Sequence, residues 1–133
     1  MKEIEAIGKI IADYSKEGKN MDVTRLLELQ DRLVGAGYWL ANYVSDLKTE
    51  YNENYFIRKI AVSKRTQGLI ASGKSAAASA AEATTEFEEF FKNEIESESN
   101  TFRADLLLKQ LNKVLSAIQQ RISYAKQIED YTK

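Results

Sequence analysis

The chain has 133 residues, of which 44% are hydrophobic and 29% are charged, and this length is typical of one domain. It contains no proline, no cysteine and no histidine, which excludes disulfide bonds, zinc–thiolate sites and histidine-dependent catalytic triads. The 19 basic and 20 acidic residues give a formal net charge of −1, so the chain has no overall positive field that would hold a long polyanion.

The absence of proline favours an all-α fold, because turns and edge strands often contain proline whereas helix interiors exclude it. Apolar residues recur every three or four positions from Ile4 to Tyr14, which predicts a first helix at residues 2–16. Gly18 suits the C-terminal end of this helix, because glycine readily adopts the left-handed conformation that often ends a helix.

A second helix is predicted at residues 22–71, with Asp22 as its N-cap and a stripe of leucine, valine and tyrosine at helical spacing. The pattern has no clean interruption before Gly73. Gly35 and Gly37 lie inside this helix and have two interpretations. Either they kink the helix, or their missing side chains let another helix approach closely.

A third helix is predicted at residues 75–131. It begins with an alanine-rich stretch, and alanine is the best helix former. Its second half has a heptad seam, a pattern that pairs helices. The seam residues are Leu108, Leu111, Leu115, Ile118 and Ile122. Before the seam, residues 92–100 are charged or small and polar, and there we expect a break in the helix, fraying, or a solvated stretch of helix.

Charged residues are arranged in blocks. The segment 48–74 is net basic and the segment 82–98 is net acidic. An antiparallel hairpin of the second and third helices, turning at Gly73, would place these two segments side by side. Exposed ion pairs contribute only about 0.2–1 kcal/mol each, so each block could also be a solvated face. We predict a short N-terminal helix and a long, coiled-coil-like antiparallel hairpin in a single domain, residues 1–133. Because such a hairpin has a thin core, we expect a homo-oligomeric helical bundle.

The segment Gly68–Ser75 matches the GxxxxGK[ST] pattern of phosphate-binding loops. Such a loop follows a buried strand, whereas the residues before Gly68 have a charged, helical pattern and no strand is predicted. We therefore interpret the segment as a turn in which Gly73 ends one helix and Ser75 caps the next. Another possibility is that Lys74 and the N–H groups of the new helix attract a phosphate without hydrolysing it.

Tyrosines and basic residues alternate in the C-terminal half of the second helix. Tyr51, Tyr55 and Arg58 recur at i, i+4 and i+7 and therefore share one face. Tyrosine rings can stack on nucleobases and arginine can pair with phosphate, which indicates a face for a nucleotide or another small anionic ligand. The other interpretation is that these tyrosines pack against a neighbouring helix. The predicted ligand-binding residues are Tyr51, Tyr55, Arg58, Lys59, Arg65, Lys74 and Ser75.

Two further polar groups have structural interpretations. Glu82 and Glu86 belong to an acidic stripe that could in principle bind a hard cation or act in acid–base chemistry, but the sequence offers no nucleophile or second ligand beside them. We interpret the stripe as solvent-facing or paired with basic residues. The run Gln119–Arg121 flanks the heptad seam, where it would specify the partner or the register; ligand binding is the alternative. We predict no catalytic residue, no metal site and no cofactor.

Several of these markers, taken together, resemble a pattern in one group of proteins. The pattern Tyr51-x-x-x-Tyr55-x-x-Arg58-Lys59, then Gly73-x-Ser75, Ala81-Glu82 and the segment 114–123 resembles small helical proteins encoded by bacteriophages. The resemblance covers roughly residues 20–126. It implies an accessory protein of the kind encoded near recombination or replication genes. Other small helical phage proteins sequester immune-signalling nucleotides or block host defence proteins, and the resemblance implies the host cytoplasm as the location.

Two functional hypotheses follow, and neither is enzymatic. The first is a helical homo-oligomer that sequesters a small anionic ligand, such as a signalling nucleotide, which needs only a local pocket and no overall charge. The second is an accessory factor that contacts a host protein or DNA. Nucleic acid is the less expected partner because the net charge is close to zero. A membrane is not expected, since no apolar run approaches the roughly 20 residues that span a bilayer.

Overall fold

The fold is all-helical, as predicted. A computed structural model describes residues 2–132, and every regular element in that range is a helix. The four α-helices are α1 (Lys2–Glu17), α2 (Val23–Ala71), α3 (Ala76–Glu86) and α4 (Glu88–Thr132), and a short 3-10 helix, Gly18–Asn20, follows α1. α2 turns back through α3 and α4 as a long helical hairpin, which confirms the predicted topology. None of the described helices combines the length and the apolar character needed to cross a membrane.

The described residues pack as two compact units. The terminal unit comprises the chain up to Tyr43 together with the chain from Ala104 onward, and the middle unit comprises Val44–Arg103. Each unit therefore contains one part of α2 and one part of α4. The single domain expected for residues 1–133 stays a prediction.

The predicted leucine seam of α4 packs inside the terminal unit. Leu111 and Ile118 are completely buried and Ile122 is almost completely buried, while Leu108 and Leu115 are partly exposed. On α2 the matching buried residues are Leu33 and Leu40, and α1 adds Ile7. The seam therefore stabilises the chain's own fold, at about 1.5–3 kcal/mol for each fully buried leucine or isoleucine side chain.

The two glycines inside α2 have different surroundings, and the helix is continuous through both. A Cβ atom at Gly37 would lie 3.4 Å from the Leu111 side chain, whereas a Cβ at Gly35 would meet nothing within 4 Å. Gly37 thus sits where α4 approaches closely. The second interpretation from the sequence, close packing, holds for Gly37, and Gly35 has no such role.

Of the three alternatives for residues 92–100, the structure excludes a break, because α4 is helical throughout this stretch. Seven of the nine residues are exposed, which fits the predicted solvated helix, but Glu94 and Ser97 are buried. These two polar residues keep the heptad spacing that Thr101 and Ala104 continue, so the helix remains packed through the polar stretch. The interruption lies instead at Phe87, whose backbone leaves the helical region (φ −103°, ψ 29°) and separates α3 from α4.

The turn between α2 and α3 explains the GxxxxGK[ST] match. Gly73 has φ +104°, a conformation that favours glycine, and its N–H donates to the carbonyl of Ile70 while the Lys74 N–H donates to Leu69. The Ser75 hydroxyl then accepts from the N–H of Ala78 and caps α3. The segment follows a helix rather than a strand, so the interpretation as a turn accounts for Gly73 and Ser75.

Candidate functional site

The predicted ligand-binding face lies on α2 in the middle unit, and its central arginine is already paired. Arg58 donates from Nε and Nη2 to the two carboxylate oxygens of Glu94, over 2.7 and 2.9 Å. Its guanidinium carbon also lies 5.0 Å from the Tyr55 ring centroid and 4.8 Å from that of Phe91. This bidentate pair uses the donor pair that would bind a phosphate on this face.

The other predicted cations in the middle unit have carboxylate partners too. Arg65 donates to Glu86 over 2.8 Å, and the Lys74 ammonium donates to Glu82. Lys59 differs, because its ammonium lies 5.6 Å from the Tyr55 ring and, among the described residues, forms no ion pair. The structure therefore brings Tyr55, Arg58 and Lys59 together. Among the described residues, Lys59 is the one of the four predicted cations that has no carboxylate partner.

Buried polar and charged side chains form a hydrogen-bonded layer between α2 and α4. The Asn54 side-chain amide donates to the Ser97 hydroxyl over 3.2 Å, one helical turn from the ion pair of Arg58 and Glu94. The hydrogen bonds from Arg58 lower the pKa of Glu94, although burial opposes this shift, and the same hydrogen bonds raise the pKa of Arg58. Polar pairs of this kind specify the register of two helices, because any slip leaves them unpaired.

Tyr51 borders this layer and is partly exposed. The nearby carboxylate of Glu98 raises the pKa of its hydroxyl, with a smaller contribution from burial. Tyr51 is therefore a neutral phenol beside negative charge at physiological pH, which disfavours an approaching anion.

A cleft in the terminal unit offers a different binding environment. It encloses about 840 Å³ between the end of α1, the start of α2 and the last turns of α4. Its lining combines tyrosines, cations and apolar side chains. The lining includes Tyr14, Lys19, Leu26, Gln120, Arg121 and Tyr124.

Arg121 is the distinctive residue of this cleft. It is half-buried, and its Nη1 donates to the backbone carbonyl of Gly18. Its guanidinium carbon lies 5.5 Å from the ring centroid of Tyr14. Within the described part of the chain, Arg121 has no ion pair with a carboxylate. It shares partial burial with Arg58 but lacks the counter-charge that Arg58 has in Glu94.

The remaining lining residues add a second cation, an exposed tyrosine and apolar surface to the cleft. Lys19 is exposed at the cleft and forms no ion pair in the range that the structure describes, and Tyr124 is 66% exposed. The one acidic lining residue, Asp22, is engaged as the N-cap of α2, because its carboxylate accepts from the Arg25 N–H over 2.9 Å. Buried Leu26 adds apolar surface. The cleft can therefore hold a flat apolar group and one anionic group.

The local sequence explains why the cleft forms. The Tyr14 ring covers Gly18 so closely that a Cβ atom there would lie 2.7 Å from Tyr14 Cε2. Glycine at this position thus lets the tyrosine fold over the end of α1 and leaves the Gly18 carbonyl within reach of Arg121. The sequence favours a role in partner or register specificity for Arg121, with ligand binding as the alternative. The place of Arg121 in the cleft depends on its contact with Gly18, and the spacing of residues within one helix does not reveal such a long-range contact.

Across residues 2–132 no group of three or more acidic side chains is arranged to hold a metal ion. The acidic stripe of α3 pairs with basic residues of α2 and the turn, as the ion pairs of Glu82 and Glu86 demonstrate. No protein-family model, curated protein or solved structure is significantly similar to the chain.

Proposed function

We propose that this protein binds a small anionic ligand in the cleft of the terminal unit and does not catalyse a reaction on it. The observation that carries the proposal concerns Arg121. This residue is half-buried, lines an open cleft and has no carboxylate partner among the described residues. A partly buried charge is costly unless an opposite charge is near, and a phosphate or carboxylate of a ligand would supply it.

Size and lining narrow the ligand class. A volume of about 840 Å³ lies within the usual range of roughly 300–1,000 Å³ for small-molecule pockets. Rings at Tyr14 and Tyr124 favour a planar group, and two cations favour one or two negative charges. A nucleotide has both features. The resemblance to phage proteins would make that ligand an immune-signalling nucleotide and the biological role its sequestration in the host cytoplasm.

The test is a calorimetric titration of the full-length protein with adenosine monophosphate. We expect saturable binding to the natural chain and at least a tenfold weaker affinity for Arg121→Gln, since a charged hydrogen bond contributes about 1.5–3 kcal/mol. The matched control is Arg103→Gln, an exposed arginine of α4 outside the cleft, which should bind normally. Equal affinities for both variants would refute the proposal.

Arg121→Gln also removes the hydrogen bond to Gly18, so it could weaken binding by disturbing the fold. A second variant separates this effect from the loss of charge. Lys19→Gln removes a cation from an exposed position and leaves the packing intact. It should weaken adenosine monophosphate binding but leave the thermal unfolding midpoint unchanged. Adenosine and inorganic phosphate, titrated separately, should each bind more weakly than the nucleotide. Binding of phosphate alone with full affinity would contradict a role for the tyrosine rings.

An interaction protein is the second candidate, and exposed apolar side chains favour it. In the middle unit Phe56 and Ile60 of α2 and Ile95 and Phe102 of α4 are all more than half exposed. A contiguous apolar patch of this composition would be typical of a protein–protein contact. A DNA-binding version would require an affinity that falls steeply with salt concentration, so a duplex titration at two salt concentrations separates protein from nucleic-acid partners.

A further inference from the structure

One stripe of α2 in the middle unit has a self-complementary sequence. Glu53, Ile57, Ile60 and Lys64 follow each other at spacings of four, three and four, which places them on one side of the helix. Ile57 and Ile60 are 52% and 51% exposed, and the two charged residues are exposed as well. The stripe is therefore an apolar centre with an acidic residue on its N-terminal side and a basic residue on its C-terminal side.

The stripe is distinct from the surface of α2 that contacts α4. The α4-facing side is marked by Asn54, which hydrogen-bonds to Ser97, and by Arg58, which pairs with Glu94. Ile57 lies about 100° around the helix from Arg58, at 3.6 residues per turn. Its exposure agrees with this position, so α4 leaves the stripe uncovered.

The charges at the two ends of the stripe are also uncompensated. Arg58, Arg65, Lys74 and Lys92 of the middle unit all have carboxylate partners. Glu53 and Lys64, by contrast, form no ion pair with any residue that the structure describes. An exposed pair of isoleucines between two unpaired, opposite charges is what a two-fold symmetric contact between helices requires.

We propose that a second copy of this chain docks on this stripe, with the two α2 helices antiparallel. A two-fold axis passing between Arg58 and Lys59 places Ile57 opposite Ile60 of the partner subunit. The same axis places Glu53 opposite Lys64 of the partner subunit, and this ion pair occurs twice. A parallel arrangement would place each charge beside its own copy, so the charges select the antiparallel dimer.

Phe56 widens the contact. Its side chain is 58% exposed and lies next to Ile57 in the chain, on the side of the stripe farther from Arg58. The dimer buries these apolar groups on both copies without using the leucine seam of α4, which already packs inside the terminal unit. The interface is also independent of the cleft, because every residue of the stripe belongs to the middle unit.

The test is sedimentation equilibrium of two opposite charge reversals of the full chain. Glu53→Lys alone and Lys64→Glu alone each replace two attractive pairs by two repulsive ones. Each should raise the dimer dissociation constant by about tenfold or more relative to the natural chain. An equimolar mixture of the two variants should restore the dimer, because all facing charges are then opposite.

The control is Lys113→Glu, an exposed charge reversal of α4 in the terminal unit, which should dimerise like the natural chain. Ile60→Ser should weaken dimerisation even in the mixture, and circular dichroism should show that it stays helical. A natural chain that is monomeric at about 100 µM would overturn the proposal. A dimer that neither charge reversal weakens, or that the mixture fails to restore, would overturn it too.

Discussion

Breaking the ion pair of Arg58 and Glu94 should destabilise the protein more than any exposed charge substitution. Glu94→Gln keeps the size of the side chain but removes its negative charge. Arg58 then remains with a side chain that is only 21% exposed and with no carboxylate against it. The replacement amide can accept one hydrogen bond where the carboxylate accepted two, and it offers no charge.

The magnitude follows from the burial of the pair. Removing one partner of a fully buried ion pair costs about 3–5 kcal/mol, whereas an exposed pair contributes about 0.2–1 kcal/mol. The Glu94 side chain is 11% exposed and that of Arg58 is 21% exposed, so water still reaches the pair. We therefore expect Glu94→Gln to lower the free energy of unfolding by about 2 kcal/mol, measured by urea denaturation at pH 7.

The matched control is Glu86→Gln, which breaks the pair with Arg65 at side-chain exposures of 46% and 44%. It should cost less than about 1 kcal/mol. The double substitution Arg58→Leu with Glu94→Leu should recover much of the stability, because apolar groups of similar volume need no counter-charge. Equal losses for Glu94→Gln and Glu86→Gln would refute the conclusion that burial makes this pair important.

Three further outcomes are expected. The free energy of unfolding should fall as the pH drops below about 4, because the pKa of Glu94 is lower in the folded than in the unfolded chain. The resulting stabilisation is complete above the pKa of the unfolded chain and is lost as the pH falls through the pKa of the folded protein. Glu94→Gln should flatten this part of a plot of urea midpoint against pH. Gly73→Ala should cost about 1–2 kcal/mol by the same assay, since φ is +104° at this turn. Ser79→Ala should leave the thermal midpoint unchanged or raise it, because the Ser79 hydroxyl is buried without a hydrogen-bond partner in the described structure.

Spacing within one helix predicted most of the fold. Heptad positions from Leu108 to Ile122 depend only on the chain's own periodicity, and so does the turn at Gly73, where glycine and a capping serine follow each other. The interruption at Phe87 was not predictable in this way. Residues 92–100 look unsuited to a core, but Glu94 finds its partner on the facing helix, and that partner is 36 residues away.

The candidate site was less predictable for the same reason. A face with Tyr55 and Arg58 resembles an anion site when α2 is considered alone, and the register of the hairpin decides which carboxylates meet its cations. The charge blocks indicated this pairing but not its partners. Arg121 depends on a carbonyl at Gly18, more than a hundred residues earlier, and on a tyrosine that covers that glycine.

The most direct test of the proposed ligand site is nitrogen-15 nuclear magnetic resonance of the arginine side chains. The chain has six arginines, and their Nε–H signals can be assigned by single substitutions. On titration with adenosine monophosphate, the signal of Arg121 should shift with saturation while that of Arg58, held by Glu94, stays in place. A saturating shift at Arg58 with none at Arg121, or no shift at either residue, would contradict binding in the cleft.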